Sequence, residues 1–279
     1  MTVADALAIY GEEHAPTVAD PARIGYAIDA LLPFWGNRSC ADVKGSTTRL
    51  YAKHRGVSVG TVRRELGTLR AAMVYCGKEG YLTTVPMFPM PAAPETKQRA
   101  MTRSEVAKLL RVSPRHLRHF ILVALYTGTR RDATLNLRLS GPTTTGGWFD
   151  LDAGILYRIG SGERATRKRR APARIPRQLL AHARRWAARG DTWAVEWKGG
   201  RVGSVKTSWS HAVTDADLGW RPTPHTLKHT AITWAIQGGA TKEDAAGFFS
   251  TSTETIERVY WHLSPDFQQG ALDAIERNG

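Results

Sequence analysis

Tyr260 is the residue whose position most directly suggests chemistry. It follows an arginine at position 130 and a histidine box at 225–229. A phenol, with an ordinary pKa of about 10, becomes a useful nucleophile towards phosphate only where cations stabilise the developing charge. Arg130 can offer a planar fork of donors to two phosphate oxygens, although it could instead cap the preceding helix. Together these residue types predict a tyrosine that attacks a phosphodiester; alone, Tyr260 would be read as a buried structural residue.

The histidine box reads His225-Thr226-Leu227-Lys228-His229 and is predicted to open a helix. Residues three and four apart share a helix face, so His225, Lys228 and His229 can converge on one phosphate. As an i, i+4 pair, His225 and His229 could instead bind a metal, but the metalloprotease glutamate is absent and no third ligand is evident. A purely structural box with a solvated Lys228 is the other alternative. We predict no metal and no cofactor.

A basic run at residues 164–170 reads Arg-Ala-Thr-Arg-Lys-Arg-Arg and lies between predicted strands. This pattern predicts a hairpin turn pushed into a groove, with Arg167, Arg169 and Arg170 on DNA phosphates. Lys168 is the only lysine between Lys108 and Lys198. A solvated loop without catalytic part is the alternative.

Composition favours a polyanionic partner. The 279 residues include 39 Lys and Arg against 25 Asp and Glu, a formal charge of +14, which favours nucleic acid through counterion release, unless the chain is simply rich in arginine. Two cysteines, Cys40 and Cys76, are too few for a disulfide framework. No apolar run approaches a membrane span or a signal peptide. We therefore predict a cytoplasmic protein that acts on DNA and not at a membrane.

Closely spaced prolines at residues 85–97 predict a linker. Residues 1–84 before it are predicted to form a helical DNA-binding domain, with helices at 5–10, 21–34, 46–54 and 58–77. The last of these has Ser58 as N-cap, and Arg63, Arg64 and Arg70 lie beside its apolar stripe. These arginines are candidate DNA contacts, or an ordinary solvated face.

Residues 98–279 are predicted to form a mainly α domain with a small antiparallel β-sheet. Thr102 and Glu105 have the spacing of a capping box. Strands are predicted at 148–151, 155–159 and 173–175. Helices are predicted from 102 and at 115–126, 131–139, 177–189, 204–217, 226–237, 242–249, 253–262 and 265–277.

The motifs Thr127-Gly128-Thr129-Arg130 and Leu135-Asn136-Leu137, the His-x-x-Lys-His box and the late tyrosine, taken in this order, resemble the tyrosine recombinases, and specifically phage-type integrases. This resemblance implies a helical core-binding domain and a catalytic domain that form a C-shaped clamp on duplex DNA. It also implies site-specific recombination, in which the nucleophile Tyr260 forms a 3′-phosphotyrosine without ATP or metal. Arg130, His225, Lys228 and Thr251 would hold the phosphate, and Lys168 would protonate the leaving 5′ oxygen.

Three positions depart from the pattern of the family. Lys228 stands where an arginine is usual, Thr251 where a histidine or tryptophan is usual, and Ala133 where an acid is usual. A lysine is a point charge and lacks the bidentate fork of arginine. A catalytically impaired DNA-binding relative is therefore an alternative, and a DNA relaxer with the same tyrosine chemistry is a third.

The resemblance also implies partners. These are double-stranded DNA attachment sites and, on them, a homotetramer in which residues 264–279 dock on a neighbouring protomer. It leaves open whether DNA-bending accessory proteins take part. No arm-type DNA-binding domain is evident ahead of the helical part, so recognition of core sites alone is expected unless the chain is a shortened product.

Overall fold

The computed structural model of the protein describes residues 1–94, 99–163 and 170–277. The chain divides into two compact units, residues 1–97 and 98–279. Each unit has its own hydrophobic core. No helix among the described residues is both long enough and apolar enough to span a membrane.

The regular elements described in the first unit are all helices, as predicted. Its four main helices lie close to the predicted ranges: α1 Val3–Ile9, α2 Pro21–Trp35, α3 Gly45–Arg55 and α4 Val59–Lys78. Short turns of other helix types lie at Tyr10–His14, Ala15–Thr17 and Cys40–Asp42.

Helix α4 is the centre of this unit. Ser58 caps it by accepting a hydrogen bond from the Thr61 amide at 3.3 Å. One face carries buried Val62, Leu66 and Leu69, which belong to the same core as residues of α1 and α2. The apolar period read from the sequence is therefore the packing face of this helix.

The second unit contains nine helices among the described residues. In chain order they are α5 Arg103–Val112, α6 Arg115–Thr127, α7 Arg131–Leu135, α8 Arg177–Ala188, α9 Lys206–Asp215, α10 Thr226–Gln237, α11 Lys242–Phe248, α12 Thr253–Val259 and α13 Gln269–Arg277. The predicted capping box at Thr102 and Glu105 opens α5. Helix α10 packs against α6, and this contact brings the histidine box close to the chain that follows α6.

A three-stranded antiparallel sheet has the order β1 Trp148–Asp150, β2 Ile155–Tyr157 and β3 Ala173–Arg174. Phe149 pairs with Leu156, and both are buried in one core with residues of α8. The predicted fold class, mainly α with a small antiparallel sheet, is confirmed. The connection between β2 and β3 includes residues 164–169, which lie outside the described residues.

The structure differs from the predictions at several element ends. A hairpin of β4 Glu196–Trp197 and β5 Gly200–Arg201 was not predicted, because two-residue strands are too short to show alternation; its turn at Lys198 and Gly199 has positive φ at both residues. The helix predicted at 265–277 begins only at Gln269, after Gln268 adopts a φ of 63°. The helix predicted at 131–139 ends at Leu135, because Arg138 bridges to Trp148 and Trp193.

The helix predicted at 253–262 ends at Val259 and is followed by a 3₁₀ turn at Trp261–Leu263. Tyr260 is the junction residue, with a φ of −127° and a ψ of −23°. Its backbone amide still donates to the Ile256 carbonyl at 2.8 Å. The candidate nucleophile is thus held at a helix end rather than in the middle of a helix.

Candidate active site

A small cavity of about 110 Å³ lies where the end of α6, strand β2, the start of α10 and the end of α11 meet. Of the described residues that line it, four are cations and one is an acid. The cations are Arg130, Arg158, Arg170 and Lys228, and the acid is Asp132. This excess of positive charge in a confined space suits a phosphate group.

Arg130 reaches the cavity through the turn that follows α6. Gly128 ends this helix with a φ of 61°, and its amide donates to the Ala124 carbonyl. A Cβ atom on Gly128 would lie only 2.4 Å from a ring carbon of Phe249. Glycine at position 128 is therefore required for both the backbone conformation and the close approach of Phe249, and Arg130 follows at the exposed start of α7.

Arg158 was missed by the sequence analysis, although it lies at the cavity wall. It is only 5% exposed. Its Nε donates to the Thr129 hydroxyl at 3.1 Å, and its other donors reach backbone and side-chain oxygens at 2.6–3.2 Å. These acceptors are the carbonyls of Ala171, Thr127 and Phe248 and the hydroxyl of Ser250.

The partners of Arg158 are thus neutral oxygens from three separate segments of the chain. Burial, together with the charge of Arg130, lowers the pKa of Arg158 to about 10. It is therefore a fixed cation at neutral pH. A sequence signal did exist: Arg158 is two residues after buried Leu156, so it continues the inward face of β2.

Lys228 is held inside the cavity wall by α10. It is 8% exposed, and its Nζ donates to the Phe249 carbonyl at 2.8 Å. Burial and the charges of Arg130 and Arg158 lower the pKa of Lys228 to about 7. The solvated lysine that was one alternative for this box is therefore wrong.

His225 and His229 are brought together at the start of α10, as the spacing predicts. Helix α10 begins directly after His225, and the two imidazole rings are 4.7 Å apart, edge to face. Burial and the charges of Lys228 and Arg130 lower the pKa of His225. His225 is thus electrostatically coupled to two of the cavity cations.

Tyr260 joins this group through His229. The Tyr260 hydroxyl and His229 Nδ1 form a hydrogen bond, and the two ring centroids are 5.9 Å apart. Tyr260 is 4% exposed, and burial raises its pKa to about 12. Among the described residues, the lining of the small cavity does not include Tyr260, His225 or Thr251.

The loop between α11 and α12 places Ser250 rather than Thr251 at the cavity. Ser250 adopts a left-handed φ of 50°, and its hydroxyl accepts from Arg158 at 3.2 Å. Thr251 is half-buried, and its amide donates to the Ala246 carbonyl. Ser252 then caps α12. The phosphate contact of Thr251 stays a prediction.

The basic run is represented by its last residue only. Arg170 lines the cavity and forms an ion pair with Glu163 at 2.8 Å. Lys168, Arg167 and Arg169 lie outside the described residues. Their predicted roles therefore stay predictions.

The candidate DNA-contacting arginines of the first unit already have partners there. Arg63 donates to the Pro91 carbonyl, whereas Arg70 donates to the Phe88 carbonyl and lies over its ring at 4.8 Å. Arg64 is exposed, and its guanidinium donates to the neighbouring Thr61 hydroxyl at 3.2 Å. Of the three, Arg64 is the most available for a DNA phosphate.

The alternative of a metal site concerned the pair His225 and His229. Within the described ranges, His, Cys, Asp and Glu side chains form no group of three or more that could hold a metal ion. His229 instead uses Nδ1 on Tyr260.

Comparison with known proteins identifies the fold. No family model and no curated protein sequence matches the chain. Among solved structures, the Tn1549 transposon integrase in complex with transposon right-end DNA is 16% identical over 99% of both chains, with a TM-score of 0.76. Lambda integrase bound to DNA is 17% identical over 94% of this chain and 96% of that chain, with a TM-score of 0.70. A lambda integrase tetramer bound to a Holliday junction is 17% identical over 90% and 78%, with a TM-score of 0.69.

These similarities define the class of fold. Nearly the whole chain adopts the fold of DNA integrases. The structures that share this fold include those of the Tn1549 transposon integrase and of lambda integrase. The motif resemblance and the fold therefore agree.

Proposed function

We propose that the protein is a tyrosine site-specific DNA recombinase. The observation that carries this proposal is the cation-lined cavity, with Arg130, Arg158 and Lys228 in its wall. The histidine box connects this wall to the buried Tyr260, because the ring of His229 contacts that of His225 and is hydrogen-bonded to the tyrosine hydroxyl. The cavity supports phosphoryl transfer because a cluster of fixed cations stabilises the charge that develops on an attacked phosphate. The integrase fold of the chain supports double-stranded DNA as the substrate.

The reaction follows from the groups present. The Tyr260 oxygen attacks one phosphodiester, so a bond from this oxygen to phosphorus forms and the bond from phosphorus to the 5′ oxygen breaks. The exposed guanidinium of Arg130 donates to the nonbridging oxygens, while Arg158 adds a fixed charge behind it and keeps its donors on the protein. Lys168 is proposed, on its place in the sequence alone, to protonate the leaving 5′ oxygen.

The phosphotyrosine keeps the energy of the broken phosphodiester. A 5′ hydroxyl from a partner duplex can therefore attack it and rejoin the strand without a nucleotide. The products of a complete reaction on two sites are recombinants.

A tetramer on DNA is part of this proposal. Helix α13 exposes apolar side chains, with Leu272 49% and Ile275 69% exposed. The same unit has an apolar cavity of about 480 Å³, whose lining includes Tyr126, Trp234 and Phe248. We propose that α13 of one protomer docks in this cavity of the next, as the resemblance to the family implies. Accessory DNA-bending proteins stay a prediction without a structural counterpart.

The first experiment is a test for a covalent adduct. The full chain is incubated with nicked suicide duplexes that carry the ends of its own genetic element, and SDS-resistant protein–DNA complexes are measured. The parent is expected to form an adduct that Tyr260→Phe abolishes and that Tyr157→Phe, a matched control at a tyrosine stacked on Trp148, preserves.

Each other outcome points to a different function. Tight DNA binding by the parent without any adduct contradicts strand transfer and supports a DNA-binding relative. An adduct that yields relaxed circles but no joined recombinants supports a DNA relaxer.

A further inference from the structure

The strongest feature that the proposed function leaves unexplained is the contact between His229 and Tyr260. The sequence predicts His229 as a DNA contact, yet its Nδ1 is hydrogen-bonded to the tyrosine hydroxyl. A buried phenol loses its proton reluctantly, because burial disfavours the charged form. A nucleophilic Tyr260 therefore needs a proton acceptor within hydrogen-bond reach.

We propose that His229 is a catalytic residue that orients the Tyr260 hydroxyl and accepts its proton during attack. This inference rests on the proposed function, because it concerns the same nucleophile. It assigns different roles to the two histidines of the box. His225 lies near the cations of the cavity wall, and His229 contacts the nucleophile.

The geometry supports this division. His229 is one helical turn after His225 on α10, and the edge-to-face arrangement of their rings points them in different directions. The His229 and Tyr260 rings are inclined by only 30°, which suits a hydrogen bond between a ring nitrogen and a phenol oxygen. Among the described residues, Nδ1 of His229 is the group found on this hydroxyl.

The electrostatic surroundings keep His229 able to accept a proton. The titratable groups that act on it are His225 and Lys228 from its own helix and Tyr260 from the end of α12. Burial and the charges of His225 and Lys228 lower the pKa of His229 to about 4. The imidazole is therefore neutral at pH 7, with one ring nitrogen that carries a lone pair.

The same surroundings keep the nucleophile inert until DNA arrives. With a pKa of about 4 on His229 and about 12 on Tyr260, the proton stays on the phenol in the free protein. A phosphate bound in the cavity beside Lys228 adds negative charge near the histidine box, which favours the protonated imidazole. Proton transfer is thus coupled to occupation of the cavity.

The step balances in both directions. In cleavage the proton of Tyr260 passes to Nδ1 as the tyrosine oxygen bonds to phosphorus, and the 5′ oxygen leaves with the proton that the proposed function assigns to Lys168. In rejoining, the 5′ hydroxyl attacks phosphorus and returns that proton to the same acid, while His229 returns its proton to the departing tyrosine oxygen.

The test uses single-turnover adduct formation by the full chain from pH 6 to 9. Two duplexes of the same sequence are compared, one natural and one with sulfur in place of the bridging 5′ oxygen. A thiolate leaves without needing a proton, so this substrate removes the requirement for an acid on the leaving side and keeps the requirement for a base on the tyrosine side. His229→Asn, His229→Ala and the exposed control His211→Asn are measured together with their melting temperatures and DNA affinities.

We expect His229→Asn to bind DNA as the parent does and to form adduct about 100-fold more slowly at pH 7 with both substrates. The ratio of parent to variant should shrink as pH rises, because hydroxide increasingly replaces the missing base. His211→Asn should match the parent.

A His229→Asn rate within about threefold of the parent, or a defect that the sulfur substrate removes, would overturn the assignment while leaving the proposed function intact. If the parent forms no adduct, the proposed function and this inference fail together. If His229→Ala is unfolded, the asparagine variant still decides, since it retains a polar side chain and cannot take up the proton.

Discussion

Lys228 is a buried cation whose ammonium donates a hydrogen bond to the protein and also lines the cavity. One donor is used on the Phe249 carbonyl, and an ammonium has two more. A lysine at this position differs from an arginine chiefly in that burial and two neighbouring arginines bring its pKa to about 7. The charge of the cavity therefore depends on pH in the range where an arginine would be constant.

The adduct-forming rate at subsaturating DNA should consequently fall above about pH 7. The protonated amine is present below its lowered pKa and lost above it, and the neutral amine cannot stabilise phosphate charge. Lys228→Arg should keep a flat profile from pH 7 to 9 whatever its absolute rate, and Lys228→Met should lose about 100-fold throughout. Parallel profiles for the parent and Lys228→Arg would contradict this account.

His119 provides a second residue-scale prediction, on stability. It is stacked on Trp186 at 3.9 Å and lies 3.2 Å from the Ala194 carbonyl through Nδ1. Burial lowers its pKa to about 4 from 6.5. The unfolded chain therefore binds this proton more readily below pH 6.5, and the free energy of unfolding should fall as pH decreases towards 4.

At pH 5 burial of this histidine should lower the free energy of unfolding by about 2 kcal/mol relative to pH 7.5. Urea unfolding of the parent and of His119→Phe at both values measures the difference, with exposed His211→Asn as control. His119→Phe should lose about 2 kcal/mol less than the parent on acidification. Equal losses would show that this histidine is not buried in its neutral form.

At the scale of elements, local sequence signals predicted most helices but did not predict the contacts that form the site. Helix α10 begins and ends at the predicted residues, and Thr102 and Ser58 cap their helices as expected, because capping depends on a few adjacent residues. The bond from His229 to Tyr260 joins residues 31 apart, and the acceptors of Arg158 are up to 92 apart. No local period encodes such contacts.

Gly128 ends helix α6 at the cavity wall, and its conformation positions the chain that leads to Arg130. Gly128→Ala should destabilise the second unit by about 3 kcal/mol, because it combines a left-handed conformation with a clash against Phe249. Gly219→Ala is the matched control, with a φ of 69° and no atom within 4 Å of the added carbon; it should cost only about 1 kcal/mol. Thermal unfolding compares the two, and equal costs would mean that Phe249 moves aside freely.

Two arginine substitutions on helix α4 should have different effects, one on DNA binding and the other on stability. Arg64→Ala should weaken DNA binding, reduce the slope of log affinity against log salt by about 1 and leave stability unchanged, as expected for an exposed phosphate contact. Arg70→Ala should lower the stability of the first unit by about 1–2 kcal/mol, because it loses its bond to the Phe88 carbonyl and its contact with the ring. Binding titrations at several salt concentrations and urea unfolding test both variants, and the reverse pattern would reassign the two arginines.

At the scale of the whole molecule, the formal charge of +14 favours DNA, whereas apolar surface on α13 favours a second protein chain. Ile275 is 69% exposed, and such a side chain gains a few kcal/mol when it is buried in a partner. The sequence predicted this segment as a docking element only through the family resemblance. The exposed face and the apolar cavity supply the physical reason.

Ile275→Lys should therefore bind a single DNA site normally and lose assembly on paired sites by about 100-fold. Glu276→Gln changes the net charge by the same amount on the same helix and should assemble as the parent does. Gel-shift titrations with one-site and two-site duplexes distinguish these outcomes. Normal assembly by Ile275→Lys would remove α13 from the interface.

The contacts of Arg158 also have a consequence for how the protein is made. Its acceptors lie at residues 127–129, 171 and 248–250, so the wall of this cavity is contributed by three segments that a ribosome produces at separate times. The first unit has its own core and can fold while the rest is still being translated. The cavity wall cannot be completed before Ser250 has emerged, and a nascent chain or a product cut short before Phe248 leaves Arg158 without two of its five acceptors, the Phe248 carbonyl and the Ser250 hydroxyl. The wall of this cavity is therefore completed only after Ser250 has been translated.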